Sequence, residues 1–256
     1  MKVTELNKSQ FFDLLHQNPA EFMRRIHAPE VFIIKGFYPA EAILSLRERI
    51  FKSGTETEPS WHPLYDGCPD YHRLHDNYEK AYVKGKIHTY YHHGWYEKNR
   101  ELFDFFKEIF EMKIFLAKKG SMDLLQHIPS QGVIARVNFH HYPRGGGYQA
   151  EHIDPHGEYA VIQTIVQTST PGKDFKTGGL YARETPEAKP YFIDQHTSPG
   201  DLIVLSTAIR HGVAPVDEKE NFDWQKIEGR WIIMPILVWS DYPHPDNIKP
   251  TEVKKG

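Results

Sequence analysis

Val133-Ile134-Ala135-Arg136-Val137-Asn138-Phe139-His140-His141-Tyr142, closed by Pro143-Arg144-Gly145-Gly146-Gly147, decides how this chain is read. Branched and aromatic side chains fit a pleated surface, and a proline followed by three glycines makes a turn. Residues 133–142 therefore read as a strand. The same character recurs at 159–168, 179–183, 191–194, 201–207 and 230–239, with glycine, proline or charged turns between. Many short strands with such punctuation indicate a sandwich or barrel.

Upstream the chain reads as α/β. Phe11 to Leu15 after Ser9 form a short helix, residues 30–36 a strand ending at Gly36, and residues 39–52 a helix carrying Ile43, Leu44, Leu46 and Ile50. Residues 99–118 place Leu102, Phe105, Phe106, Ile109, Phe110 and Ile114 on one side of a further helix. Between them, residues 54–95 lose all periodicity and are crowded with aromatic and histidine rings. A long aperiodic stretch in a compact domain is often functional, so residues 61–95 are a candidate substrate lid. The expected organisation is one mostly β domain over 1–256. It comprises an α/β N-terminal support over 1–131, a β core over 132–240 and a surface tail over 241–256.

The 256 residues are 39% hydrophobic and 13% aromatic, enough for a packed core. A net charge of −3 gives no global attraction to nucleic acid or an anionic membrane. Cys68 is the only cysteine, which excludes an intramolecular disulfide framework and a thiolate metal cluster. A reducing, cytoplasmic setting is expected, without a signal-peptide core or a membrane partner. Sixteen histidines raise both the chance of a metal site and the chance of accidental motifs.

Three short motifs compete for a metal: His152-Ile153-Asp154, His156-Gly157-Glu158 and His244-Pro245-Asp246. No histidine follows the last one. In a strand, residues i and i+2 face the same side, so His152 and Asp154 can chelate one ion. His156 shares that parity only if the strand passes through Pro155, a poor interior strand residue. Downstream, Pro199-Gly200-Asp201 turns into the apolar run 202–205, and His211 stands beside Gly212. Two histidines and one carboxylate suit a divalent iron with positions left open for a co-substrate and dioxygen. Arg230 opens the apolar strand 230–239. An arginine there is costly to bury without an anion, and its fork suits a carboxylate.

Together these residues resemble the Fe(II)/2-oxoglutarate-dependent dioxygenases, over roughly residues 133–239. The resemblance implies a double-stranded β-helix (jelly roll) core with flanking α-helices, and Fe(II), 2-oxoglutarate and O2 as cofactor and co-substrates. It implies His152, Asp154 and His211 as the iron ligands and Arg230 as the partner of the far carboxylate of 2-oxoglutarate. Phe175 to Leu180 match the family's glycine-bearing strand entry, and Pro199-Gly200-Asp201 the turn before its distal histidine. Arg230 follows His211 at a longer interval than is usual in these enzymes, with the charged insert 217–228 taking up the difference. Lys219 and Lys226 lie in that insert and are weaker anchors, and Arg210 reads as structural. The nucleic-acid demethylase branch carries a second arginine where this chain has Ile236. Halogenases replace the carboxylate ligand, whereas Asp154 is present, so hydroxylation is favoured.

Further contacts are expected from the same faces. Asn138 and Tyr142 share parity before the motif, with Arg136 beside them, and are candidates to bind 2-oxoglutarate. Gln163 is a third candidate, since a buried amide needs a partner. Arg183, Tyr65, Tyr71, His72, Arg73 and His75 are candidate substrate contacts. The expected reaction is hydroxylation of a C–H bond of a small polar metabolite, such as an amino acid or carboxylic acid. A protein or peptide hydroxylase of the same fold, a cupin-like isomerase or sugar-binding protein, and a non-catalytic jelly-roll module are the competing readings.

Overall fold

The computed structural model describes residues 1–65, 67–79, 81–120 and 133–239. The expected tail over 241–256 lies outside them. Twelve strands form one curled sheet: β1 (Lys2–Leu6), β2 (Glu30–Ile34), β3 (Tyr71–Asp76), β4 (Gly85–His93), β5 (Val133–Pro143), β6 (Gly147–His152), β7 (Ile162–Gln167), β8 (Gly179–Arg183), β9 (Tyr191–Phe192), β10 (Leu202–Ser206), β11 (Arg210–Val216) and β12 (Gly229–Trp239). Five helices accompany them: α1 (Lys8–Gln17), α2 (Pro19–His27), α3 (Ala40–Glu56), α4 (Arg100–Phe105) and α5 (Lys107–Leu116). No helix among the described residues is long and apolar enough to cross a membrane.

The strand path runs β1-β2-β10-β7-β12-β5-β4-β6-β11-β8-β9, with β3 on the free side of β4. β4 turns the corner. It pairs with β5 through His88–His93 and with β6 through Gly85 and Lys86. The curl gives each strand of one wall two buried faces, which is why these strands read as near-continuous apolar runs instead of clean alternations. Phe32, Phe139, Val204, Trp231 and Ile233 point outward into the cluster shared with Phe11, Phe22, Ile43, Phe106 and Phe110 of the helical layer. Val31, Ile33, Ile165, Ile203, Leu205 and Ile232 point inward, with Leu180 and Val213 of the opposite wall. Burial of two such faces is the main favourable contribution to this fold.

Several elements differ from the sequence reading. The stretch read as an aperiodic lid holds β3 and β4, which pair antiparallel through Tyr71–Asp76 and Lys86–Tyr91. It supplies a structural hairpin of the barrel wall. The helix expected over 99–118 breaks at Phe106, whose ring packs edge-on against Tyr38 at 5.2 Å and is fully buried. The strand expected over 191–194 stops at Phe192, and Asp194 opens a 3-10 turn instead. α1 and α2 are capped by Asn7 and Asn18, Asn7 in a reciprocal capping box with Gln10.

Candidate metal and anion-binding site

His211 and His152 are direct register partners across β11 and β6. Opposite residues of an antiparallel pair share a face, so both imidazoles enter the barrel, with ring centroids 4.4 Å apart. Asp154 stands two residues past His152, where its N–H donates to the Thr207 carbonyl at 2.9 Å. His152 Nε2 lies 3.5 Å from one Asp154 carboxylate oxygen and His211 Nε2 lies 3.5 Å from the other. Ligand atoms of the three residues all fall within 4.8 Å of one another.

The tautomers are set by the backbone. Nδ1 of His152 is 2.9 Å from the Ala150 carbonyl, and Nδ1 of His211 is 3.0 Å from that of Ile209. A carbonyl only accepts, so each Nδ1 carries the hydrogen and each Nε2 keeps its lone pair aimed at the cluster. Burial holds the His211 pKa below the ordinary histidine value, which keeps its imidazole neutral. Burial alone raises the Asp154 pKa. His152, His211 and a 2.8 Å hydrogen bond from Gln163 Nε2 outweigh it and keep the carboxyl below its usual range. Two imidazoles presenting Nε2 and one carboxylate form a donor set that fits a divalent metal of the imidazole-binding class.

The three side chains open into a cavity of about 490 Å³ lined by apolar residues such as Ile165, Leu180, Val213, Ile232 and Met234. Arg230 and Tyr142 line it too. Arg230 is fully buried and makes a two-pronged pair with Asp194, Nε to Oδ2 at 2.5 Å and Nη2 to Oδ1 at 3.1 Å. Its remaining nitrogen, Nη1, is buried without a partner. Tyr142 donates its hydroxyl to Gln149 at 2.7 Å, and its ring lies 5.3 Å from the Arg230 guanidinium carbon. An unpaired guanidinium N–H at the wall of a cavity is a ready donor for an anion.

The remaining candidates separate. Gln163 lines the cavity, and its amide is taken up by Asp154 and the Thr164 N–H. Asn138 is 3% exposed and lies outside the lining, its Oδ1 without a partner. Tyr71, Arg73 and His75 share the inner face of the β3–β4 hairpin, whereas His72 faces outward onto His88 and Thr57. Tyr65 is exposed, and Arg183 pairs with Glu151 outside the cavity. Arg210 also pairs with Glu151. His156 lines the cavity with its Nδ1 on Thr207, and Glu158 pairs with Lys119, so the rival motif is not gathered into one cluster.

Three lining or supporting residues escaped the sequence reading. Asp194 sits in a turn, where strand parity says nothing. Gln149 is an ordinary polar residue before the motif. Lys113 carried a usable signal, because it falls four residues after Ile109 and three after Phe110, on the apolar side of its helix. It is 3% exposed, lines the cavity and donates to the Ile162 carbonyl at 3.2 Å. Burial depresses its pKa to about 8, with Asp154 acting in the opposite direction.

No protein-family model matches the chain, and no curated protein matches it. Solved structures do. JOX2, in complex with 2OG, Fe and JA, superposes with a TM-score of 0.53 at 14% identity, covering 93% of this chain and 75% of that one. A putative oxygenase from Shewanella oneidensis gives 0.52 at 12% identity, covering 92% and 90%. A prolyl hydroxylase from Trichoplax adhaerens, bound to a hypoxia inducible factor peptide fragment, gives 0.50 at 14% identity, covering 91% and 94%. At these identities the likeness is one of fold: a mostly β jelly-roll core with flanking helices.

Proposed function

We propose that the chain is an Fe(II)- and 2-oxoglutarate-dependent dioxygenase that hydroxylates a C–H bond of a small carboxylic or amino acid. One observation carries this reading: the His152, Asp154 and His211 donors converge in the same cavity into which Arg230 presents a buried, unpaired N–H. The fold shared with oxygenases adds to it. His152 and His211 would hold the iron through Nε2, and Asp154 through its carboxylate. Arg230 would hold the far carboxylate of 2-oxoglutarate, with Tyr142 closing the pocket beside it. When bound, the iron and 2-oxoglutarate supply the oxidising power, consuming O2 and releasing succinate and carbon dioxide.

The chain's own part is positional. The Ala150 and Ile209 carbonyls fix the two imidazoles, and Gln163 fixes Asp154. The apolar lining keeps bulk water from the reacting centre and holds the C–H bond close to it. A peptide hydroxylase is the second reading, favoured by the prolyl hydroxylase fold match. The test is succinate release from anaerobically purified protein given Fe(II) and 2-oxoglutarate and then admitted to air, with and without candidate acids or peptides. The expected result is slow release alone and faster release with a small acid. His152→Ala is expected to abolish Fe(II) binding while His156→Ala leaves it largely intact. Absence of both succinate and an Fe(II)–2-oxoglutarate absorption band would refute the oxygenase reading.

A further inference from the structure

The inner face of β3, β4 and β5 continues the cavity wall away from Arg230. Along β5, Arg136, Asn138, His140 and Tyr142 alternate on that face, and His140 and Tyr142 line the cavity. Met234 and Ile236, the register partners of Asn138 and Arg136 on β12, line it too. Tyr91 of β4 opposes Asn138, and Tyr71 of β3 opposes Tyr91, so this row extends to the hairpin. Arg73 and His75 follow on β3 with the same parity.

Two arginines meet over one ring here. The Arg136 guanidinium carbon is 4.5 Å from the Tyr91 ring centre and that of Arg73 is 6.0 Å away. Every other arginine of the chain pairs with a carboxylate except the exposed Arg49, but Arg73 and Arg136 have none among the described residues. Arg73 Nε donates instead to His75 at 2.8 Å, which aims the guanidinium. Three buried polar atoms on this patch have no partner: Arg136 Nε, Asn138 Oδ1 and His140 Nδ1. Burial pushes His75 down to about 4 and His140 to about 3, so both imidazoles are neutral and the two guanidiniums face no counter-charge among the described residues. Two like charges sharing a partly buried wall are stabilised by an anion.

We propose that Arg136 and Arg73 form a second anion site, distinct from Arg230, which binds the carboxylate of the substrate and lays its apolar body along Met234 and Ile236 toward the His152–Asp154–His211 cluster. The substrate class this assigns is a carboxylic acid with an apolar chain. Calling the anion the substrate rests on the oxygenase reading above; the anion site itself does not.

The test is calorimetric binding of hexanoate to the full chain with no metal added, with hexanamide as the neutral isostere. Hexanoate is expected to bind more tightly than hexanamide. Arg136→Gln and Arg73→Gln are each expected to weaken hexanoate about tenfold or more and to leave hexanamide unchanged. Arg49→Gln is expected to leave hexanoate binding intact. Thermal melts of each variant separate loss of the site from loss of the fold, and Arg73→Gln, on a separate strand, provides the reading if Arg136→Gln unfolds. Equal binding of acid and amide, or undiminished hexanoate binding in folded Arg136→Gln and Arg73→Gln, overturns the proposal. Arg136-dependent binding of inorganic phosphate tighter than that of hexanoate overturns the carboxylate assignment. Because no metal or 2-oxoglutarate enters the measurement, failure here is separate from failure of the succinate assay.

Discussion

Asp194 is the residue on which the placement of Arg230 in the cavity wall depends, and Asp194→Ala is the most exacting test of that geometry. Its carboxylate accepts from Arg230 Nε at 2.5 Å, Arg230 Nη2 at 3.1 Å and the Leu180 N–H at 2.6 Å. Both partners of the ion pair are buried, Arg230 completely and Asp194 to 99%. Gly179 makes room for it, since a Cβ there would stand 2.5 Å from Asp194 Oδ2. Removing one member of a buried pair leaves an uncompensated charge and costs about 3–5 kcal/mol. For a chain of this length that is a fall in Tm of roughly 6–20 °C. Asp194→Asn keeps the shape and one acceptor and is expected to cost about half as much. The double variant Asp194→Leu/Arg230→Met removes both charges and is expected to be more stable than Asp194→Ala alone, because no unpaired ion remains. Urea unfolding of the metal-free protein, with 2-oxoglutarate binding measured alongside, checks all three. A cost for Asp194→Ala under about 1 kcal/mol, or strict additivity in the double variant, would show that Arg230 is not held as described.

Two other outcomes are expected. Lys113→Met is expected to stabilise the metal-free protein at pH 7. Lys113 is depressed from 10.5 to about 8 by burial, so below pH 8 the penalty for keeping it charged is fully present, on the order of 3 kcal/mol. Between pH 8 and 10.5 the unfolded chain binds more protons, so the wild-type penalty fades as pH rises. Urea midpoints at pH 7 and 9.5 should converge for the two proteins, and a wild-type advantage at pH 7 contradicts this account. Gly178→Ala is expected to destabilise by about 2–4 kcal/mol. Gly178 has φ +83° and a Cβ there would lie 2.1 Å from the Pro215 carbonyl oxygen, so an unchanged Tm refutes the strain.

Where a strand contrasts apolar with polar residues, the sequence declared it. Residues 133–142 were legible because apolar and polar side chains alternate there, and 179–183 and 230–239 because largely apolar runs are bounded by turns. The β3–β4 hairpin was illegible for the converse reason. Tyr71, Arg73 and His75 face inward and His72 faces outward, so rings and histidines occupy both sides and no period-2 contrast exists. The gathering of His152 with Asp154 was readable from parity, and the arrival of His211 from the turn before it. The direct pairing of His211 with His152 was not, because it is a register fact joining distant strands. Asp194 was hidden by its turn. Lys113 was readable in principle as a lysine on an apolar helix face, but such residues usually carry their charge out to water, and this one cannot.

On the proposed reading, charge balance explains why two cationic side chains, Arg230 and Lys113, face one cavity. Two neutral imidazoles and the Asp154 carboxylate leave a divalent ion with one net positive charge. Arg230 is already matched by Asp194, so it gives a dicarboxylate co-substrate direction and hydrogen bonds but no net charge. The co-substrate brings two negative charges and leaves one in excess. Lys113, buried in the same lining and bonded to the Ile162 carbonyl, would be the cation that offsets it. Its depressed pKa is then the cost of poising a charge in the empty site, and binding of 2-oxoglutarate should raise that pKa back toward its ordinary value. Lys113→Met should therefore separate two quantities that usually move together, gaining stability in the metal-free protein and losing affinity for 2-oxoglutarate. Arg73 and Arg136, which have no carboxylate partner among the described residues, lie outside this balance, and the proposed second anion would complete it.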